Sequence, residues 1–169
     1  MMSWRKQGVT VLLAVMLAVL YPVAGRAHET GVATVTLDIE AIDHPLLSVE
    51  LDVLDVDIAV GLDGDGDGAI LWADYQAQAP GIARYIQTAL SIAQREGSCA
   101  LIPKPAAGGV RQGVAPSVLT VFALHCPAPI VALTVVNTLL SDVDPAATAL
   151  LVIRGAGAEK SLALERGET

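Results

Sequence analysis

The chain has 169 residues, 53% of them hydrophobic, which is enough for one domain with a real core. Its formal net charge of -8, from 18 acidic against 10 basic residues, argues against nucleic acid and anionic membrane surfaces as partners, since both demand the opposite sign.

Arg5 and Lys6 form a short basic region, residues 9–19 an apolar run, and Ala24-Gly25-Arg26-Ala27 a small-residue close. This is the pattern of a secretory signal peptide over residues 1–27, cut after Ala27. An uncleaved anchor is the alternative, although the run is shorter than the roughly 20 residues of a spanning helix. Cleavage leaves residues 28–169 as a single exported domain, periplasmic or secreted, and removing Arg5, Lys6 and Arg26 takes the net charge from -8 to -11. His28, then N-terminal, offers an α-amino group and an imidazole, a pair able to chelate copper or nickel; the plain alternative is an arbitrary polar terminus.

Residues 32–39 alternate apolar and polar, as a half-buried strand does. Asp43-His44-Pro45 breaks the pattern and residues 47–53 resume it. Residues 54–62 fit a strand or a short helix, and the spacing of four between Leu54, Ile58 and Leu62 favours one or two helical turns. From Asp38 through Asp74 stand eleven acidic residues and no Lys or Arg, a segment that repels itself unless a cation offsets it.

Within that segment, Asp63-Gly64-Asp65-Gly66-Asp67-Gly68-Ala69-Ile70-Leu71-Trp72-Ala73-Asp74 matches the twelve-residue calcium loop of the EF-hand. Calcium takes six to eight oxygen ligands, and alternate carboxylates on a tightly turning backbone converge on one centre. The expected metal ligands are Asp63, Asp65, Asp67, the Ala69 carbonyl and Asp74. Gly68 supplies the positive φ of the turn, Ile70 the apolar eighth position, and Leu71 at most a bound water. Glu is usual at the twelfth position; Asp74 is shorter, which predicts a dissociation constant on the order of 10⁻⁴ to 10⁻³ M and magnesium as a competitor. The competing reading is a Gly/Asp-rich turn that needs no metal, against which the mutual repulsion of three aspartates counts. With Gly61 beside the loop, weak helix formers before it and no second loop, the ion is expected to clamp a sheet to a helix and to be structural.

Ile82, Tyr85, Ile86, Ala89, Leu90 and Ala93 share one helical face, opposite Arg84, Gln87, Thr88, Gln94 and Arg95, which predicts the main helix. Pro80-Gly81 begins it afresh or bends it, and Gly97 stops it. A short strand over 99–102 and a Pro/Gly-rich loop over 103–113 follow. Residues 114–136 are apolar, but Pro116, Pro127, Pro129 and many β-branched residues favour two strands over a membrane span. These strands, 117–126 and 130–139, would pair across the Cys-Pro-Ala-Pro turn, so no transmembrane segment is expected in the mature chain. Residues 147–153 and 161–164 complete the set around Gly155-Ala156-Gly157. The sum is α+β: an antiparallel sheet or β-sandwich-like domain with one main helix after the calcium loop.

Cys99 and Cys126 in an exported chain are expected to form a disulfide. Two free thiols, or a soft-metal pair of Cys126 with His125, are the alternatives, and no Cys-x-x-Cys suggests redox catalysis. His44, before Pro45, reads as a turn residue and His125 as a strand-end residue. Ser117, Ser141 and Ser161 lie in no nucleophile-elbow context and no His-Glu-x-x-His occurs, so no catalytic residue or organic cofactor is expected and an exported hydrolase is the weak reading.

Ala27-His28-Glu29, Gly61-Leu62-Asp63, Ile70-Leu71-Trp72, Cys99, Cys126-Pro127 and Asp142-Val143-Asp144-Pro145 together resemble the extracytoplasmic N-terminal region of HupE/UreJ-type proteins. That resemblance implies a metal context, because the membrane portion of the family is associated with metal-ion transport or with hydrogenase and urease accessory roles. The His-Arg pair expected after Asp144-Pro145 is replaced by Ala147-Thr148, and transport itself is not implied for a chain without the membrane portion. The loop also resembles that of dockerins, whose twelfth residue is Asp, but dockerins carry two such segments. The expectation is an exported calcium-binding protein accessory to a membrane or metal-handling partner. A copper or nickel carrier acting through His28 is the main alternative.

Overall fold

The computed structural model describes residues 32–41, 43–113, 116–164 and 167. The expected signal peptide, residues 1–27, and His28 lie outside the described residues. Among the described residues the fold is α+β, with one main helix and two sheets.

Strand β1 (Ala33–Asp38) and β2 (Leu46–Asp52) are the two alternating segments, antiparallel with Val35 opposite Val49 and Leu37 opposite Leu47. Period-two alternation sends these four residues to the core and Thr34, Thr36, Ser48 and Glu50 to the other face. At Asp52 the chain turns into helix α1 (Val53–Val60), where the Asp52 carboxylate accepts the Leu54 N–H at 2.8 Å, as an N-cap does. Gly61, at φ 70°, ends α1 by returning its N–H to the Asp57 carbonyl.

Helix α2 (Trp72–Ala89) is the main helix and begins earlier than its periodicity suggests, running 18 residues straight through Pro80. It ends at Ala89, so the expectation of helix to residue 95 is corrected: Leu90–Gln94 is strand β3. Leu90-Ser91-Ile92 satisfies both periods, and pairing decides between them. β3 bonds to β4 (Gly97–Ser98) on one side and β8 (Thr134–Asn137) on the other. The N–H and hydroxyl of Thr138 both donate to the Ala89 carbonyl, at 2.7 and 2.9 Å, and satisfy the oxygen that a further helical turn would have used.

The remaining strands are β5 (Ala100–Pro103), β6 (Gly109–Arg111), β7 (Ser117–His125), β9 (Ala149–Gly155) and β10 (Ala158–Leu164), with a 3₁₀ turn at Pro105–Ala107. The larger sheet has the order β10-β9-β1-β2-β7-β5, and β6 also pairs with β7. Every junction is antiparallel except β1–β9, which is parallel. β9 and β10 form the expected hairpin around a two-residue turn with Ala156 at φ 53° and Gly157 at φ 71°.

The predicted hairpin of 117–126 with 130–139 is not formed. β7 is a central strand, buried on both faces along most of its length, and takes β2, β5 and β6 as neighbours. β8 pairs with β3 in the smaller sheet. Gln94 holds the crossing: its side-chain amide donates to the Pro129 carbonyl at 3.1 Å and accepts the Ala128 N–H at 3.2 Å. The two prolines keep this segment out of either ladder.

Ile82 and Ile86 of α2, Leu90 and Ile92 of β3 and the inward residues of β1, β2 and β7 form one apolar core, with Phe122 fully buried within it. The Cys99–Cys126 disulfide is present, so neither a free-thiol pair nor a soft-metal site with His125 is formed. It lies just past the Ala100–His125 pair of β5 and β7 and ties that edge to the start of the smaller sheet. Among the described residues no helix is long and apolar enough to cross a membrane.

Candidate metal centre

The acidic loop is slung between α1 and α2, and its entry is fixed by burial. Leu62 is fully buried, so the backbone leaves the core at Asp63 and is free to curl in solvent. Gly66 and Gly68 take φ of 71° and 79°, the left-handed conformation expected at Gly68. Ile70 returns to pack against the core, and α2 starts two residues later.

Each of the first three carboxylates is oriented by the loop's own amides. Asp63 accepts Gly66 N–H and Gly68 N–H, both at 2.9 Å, one on each oxygen. Asp65 Oδ1 accepts the Asp67 N–H at 3.3 Å, and Asp67 Oδ1 accepts the Ala69 N–H at 2.7 Å. These bonds gather Asp63, Asp65 and Asp67 so that one oxygen from each lies within 4.8 Å of the others, a group able to hold a metal ion. The Gly68 amide is the main cause that holds the Asp63 carboxyl below its ordinary value of 3.8. The set is oxygen-only and anionic, which suits a hard divalent cation such as calcium or magnesium and not a soft one.

Asp74 is placed differently. It sits in the first turn of α2, where its Oδ2 accepts the Leu71 N–H at 2.7 Å, and it is not in the group of three. The helix start it stabilises is the exit of the loop, and its Oδ1 is free of that bond. Leu71 has no side-chain oxygen to return the capping interaction.

Asp57 is a residue that the loop pattern does not flag. From α1 its Oδ1 accepts the Asp63 N–H at 2.8 Å, so the first loop position is held by both its own amides and the preceding helix. Its only signal in the sequence is an acid six residues ahead of the loop within the base-free stretch.

The far side of the loop rests on aromatic packing. Trp72 stacks on Tyr75 with ring centroids 5.1 Å apart, and Tyr75 is buried beside the Leu119 carbonyl of β7. A Cβ on Gly108 would fall on the Tyr75 hydroxyl and on that carbonyl, so only glycine fits there.

The other expected residues lie apart from the loop. His44 is in an exposed turn and His125 is exposed at the end of β7. Ser117 donates to Glu50 at 2.6 Å, and Glu50 pairs with Arg111 at 2.8 Å, a link between β2, β6 and β7 with no histidine in it. Ser141 is in a turn and Ser161 in the exposed strand β10.

No family model matches the chain, and no curated protein matches it either. The reading of the site therefore rests on its geometry.

Proposed function

We propose that the chain is an exported calcium-binding protein, not an enzyme, in which one ion is held by Asp63, Asp65, Asp67, the carbonyl of Ala69 and Asp74. The observation that supports this most directly is the convergence of the three aspartates, each turned by a backbone amide so that oxygens meet across less than 4.8 Å. Ion binding would relieve their repulsion and join the end of α1 to the start of α2. The role of the metal is structural, since the loop is single and both its ends are anchored in the core by Leu62 and Ile70. The disulfide fits an oxidising, extracytoplasmic compartment reached through the signal peptide. An accessory role toward a membrane or metal-handling partner is carried by the resemblance to the HupE/UreJ-type extracytoplasmic region alone.

Trp72 sits at the loop exit and tests this reading. Terbium added to the exported protein should show emission sensitised by Trp72, displaced by calcium and more weakly by magnesium. The signal should vanish in Trp72→Phe, and Asp65→Ala should weaken binding at least about tenfold, the loss of one charged ligand being worth roughly 1.5–3 kcal/mol. No sensitised emission, with a thermal midpoint indifferent to calcium, would show that the loop is only a turn.

A further inference from the structure

The larger sheet is not evenly backed. α2 packs over β7 and β6, whereas the wall facing β1, β9 and β10 is the non-helical segment 130–135. The two walls leave a groove of about 700 Å³ between Leu37, Leu151, Leu162 and Leu164 on the sheet and Ile130 and Leu133 on the segment. A second hollow of about 290 Å³ shares Ile39, Ile130 and Ile153 with it and reaches Lys160.

The lining has a narrow chemistry. Among the described residues its side chains are aliphatic throughout, with no aromatic ring, hydroxyl, amide or carboxylate, and Lys160 is the one charged group. Strand register explains how the cation comes to be there: Lys160, Leu162 and Leu164 are the cross-strand partners of Ile153, Leu151 and Ala149 of β9 and so share their face of the sheet. The neighbouring charges, Arg154 and Glu159, are paired with each other at 2.8 Å, and Lys160 forms no ion pair among the described residues. Val131 and Leu162 remain 93% and 44% exposed at the rim, apolar surface that nothing described covers.

We propose that this groove binds one unbranched aliphatic chain bearing an anionic head, an alkyl carboxylate of the fatty-acid class, with the carboxylate at Lys160. Flexible aliphatic walls without a ring match a methylene chain and not a planar ligand, and each buried methylene contributes about 0.8 kcal/mol. In a chain of net charge -8 an anion is repelled in general, so a lone ammonium at the end of the apolar groove selects the head group. A lysine on an edge strand also guards against strand-to-strand association, and that role by itself predicts no ligand.

Calorimetric titration of the purified protein with decanoate below its micelle concentration, and with 1-decanol, tests the proposal. One decanoate should bind per chain, with methyl NMR shifts at Leu151, Ile153 and Leu162, and butyrate should not bind. Lys160→Gln should weaken decanoate about threefold, the scale of an exposed ion pair, and leave decanol unchanged. Val131→Asp, at a site too exposed to affect folding, should weaken both. The proposal is overturned by the absence of saturable binding, or by decanoate binding that neither substitution changes. It is equally overturned by a loss in Val131→Asp with none in Lys160→Gln, which would remove the anionic head, and by a dimer that closes the groove on a second copy and excludes decanoate.

Discussion

The carboxylate of Asp57 on α1 accepts the backbone N–H of Asp63, 2.8 Å away, and so fixes the first position of the acidic loop to the helix before it. Without this bond the entry of the loop would rely on the burial of Leu62. Asp57→Ala should therefore weaken calcium binding several-fold and lower stability by about 1 kcal/mol, the net worth of such a bond. Asp57→Asn keeps an acceptor oxygen and should retain most of both. Terbium titration and chemical denaturation of the two variants separate this positioning role from a loss of charge.

Tyr85 ties α2 to the turn after β8. Its hydroxyl donates to Asp142 at 2.8 Å and accepts the Leu140 N–H at 2.8 Å, where Leu140 itself has a φ of 60°. Tyr85→Phe should cost about 1–2 kcal/mol, since it leaves the Leu140 amide without its partner.

The same residue sets an alkaline limit. Burial, followed by the bond to Asp142, raises the Tyr85 phenol well above its ordinary value of 10.0. A group raised on folding stabilises fully below its unfolded value and loses that contribution as pH climbs through the folded one. Stability from this source should hold to about pH 10 and decline above it. Tyr85→Phe should show a shallower alkaline decline, read from denaturation midpoints across pH 8 to 12.

Gly108 lies against the Tyr75 hydroxyl and the Leu119 carbonyl. Gly108→Ala should destabilise by about 1–3 kcal/mol through overpacking and weaken terbium sensitisation by displacing the Trp72–Tyr75 stack. Adding Tyr75→Phe removes one of the two clashing atoms and should restore part of the loss; a double-mutant cycle reads the coupling.

Reduction of Cys99–Cys126, or replacement of both residues by Ala, should cost about 3–4 kcal/mol for a sequence separation of 27 residues in the chain-entropy model. Denaturation with and without reductant measures it, and the double variant should lose its sensitivity to reductant.

Local rules, which need only neighbours in the chain, already determine several features from the sequence by itself. Alternation placed β1 and β2, the positive φ at Gly68 followed from the loop's turn, and the two cysteines, read with the expectation of export, foretold their own bond. The convergence of Asp63, Asp65 and Asp67 follows from spacing in the same way, because amides two to five residues away orient all three. Tertiary structure decided what local rules leave degenerate. Leu90-Ser91-Ile92 fits a helix or a strand, and only pairing with β8 and the capture of the Ala89 carbonyl by Thr138 made it β3. β7 could have paired with the segment that follows it; burial on both faces drew it to the middle of the larger sheet, and Gln94 sent the next segment to the smaller one. Asp57 was invisible as a support of the loop because its bond to Asp63 depends on where α1 ends, which Gly61 sets only once the helix has formed. The groove beside Lys160 depends on the parallel β1–β9 junction, whose partners Ala33 and Ala149 are 116 residues apart (149 − 33), and on the path of residues 130–135, neither of which any periodicity encodes.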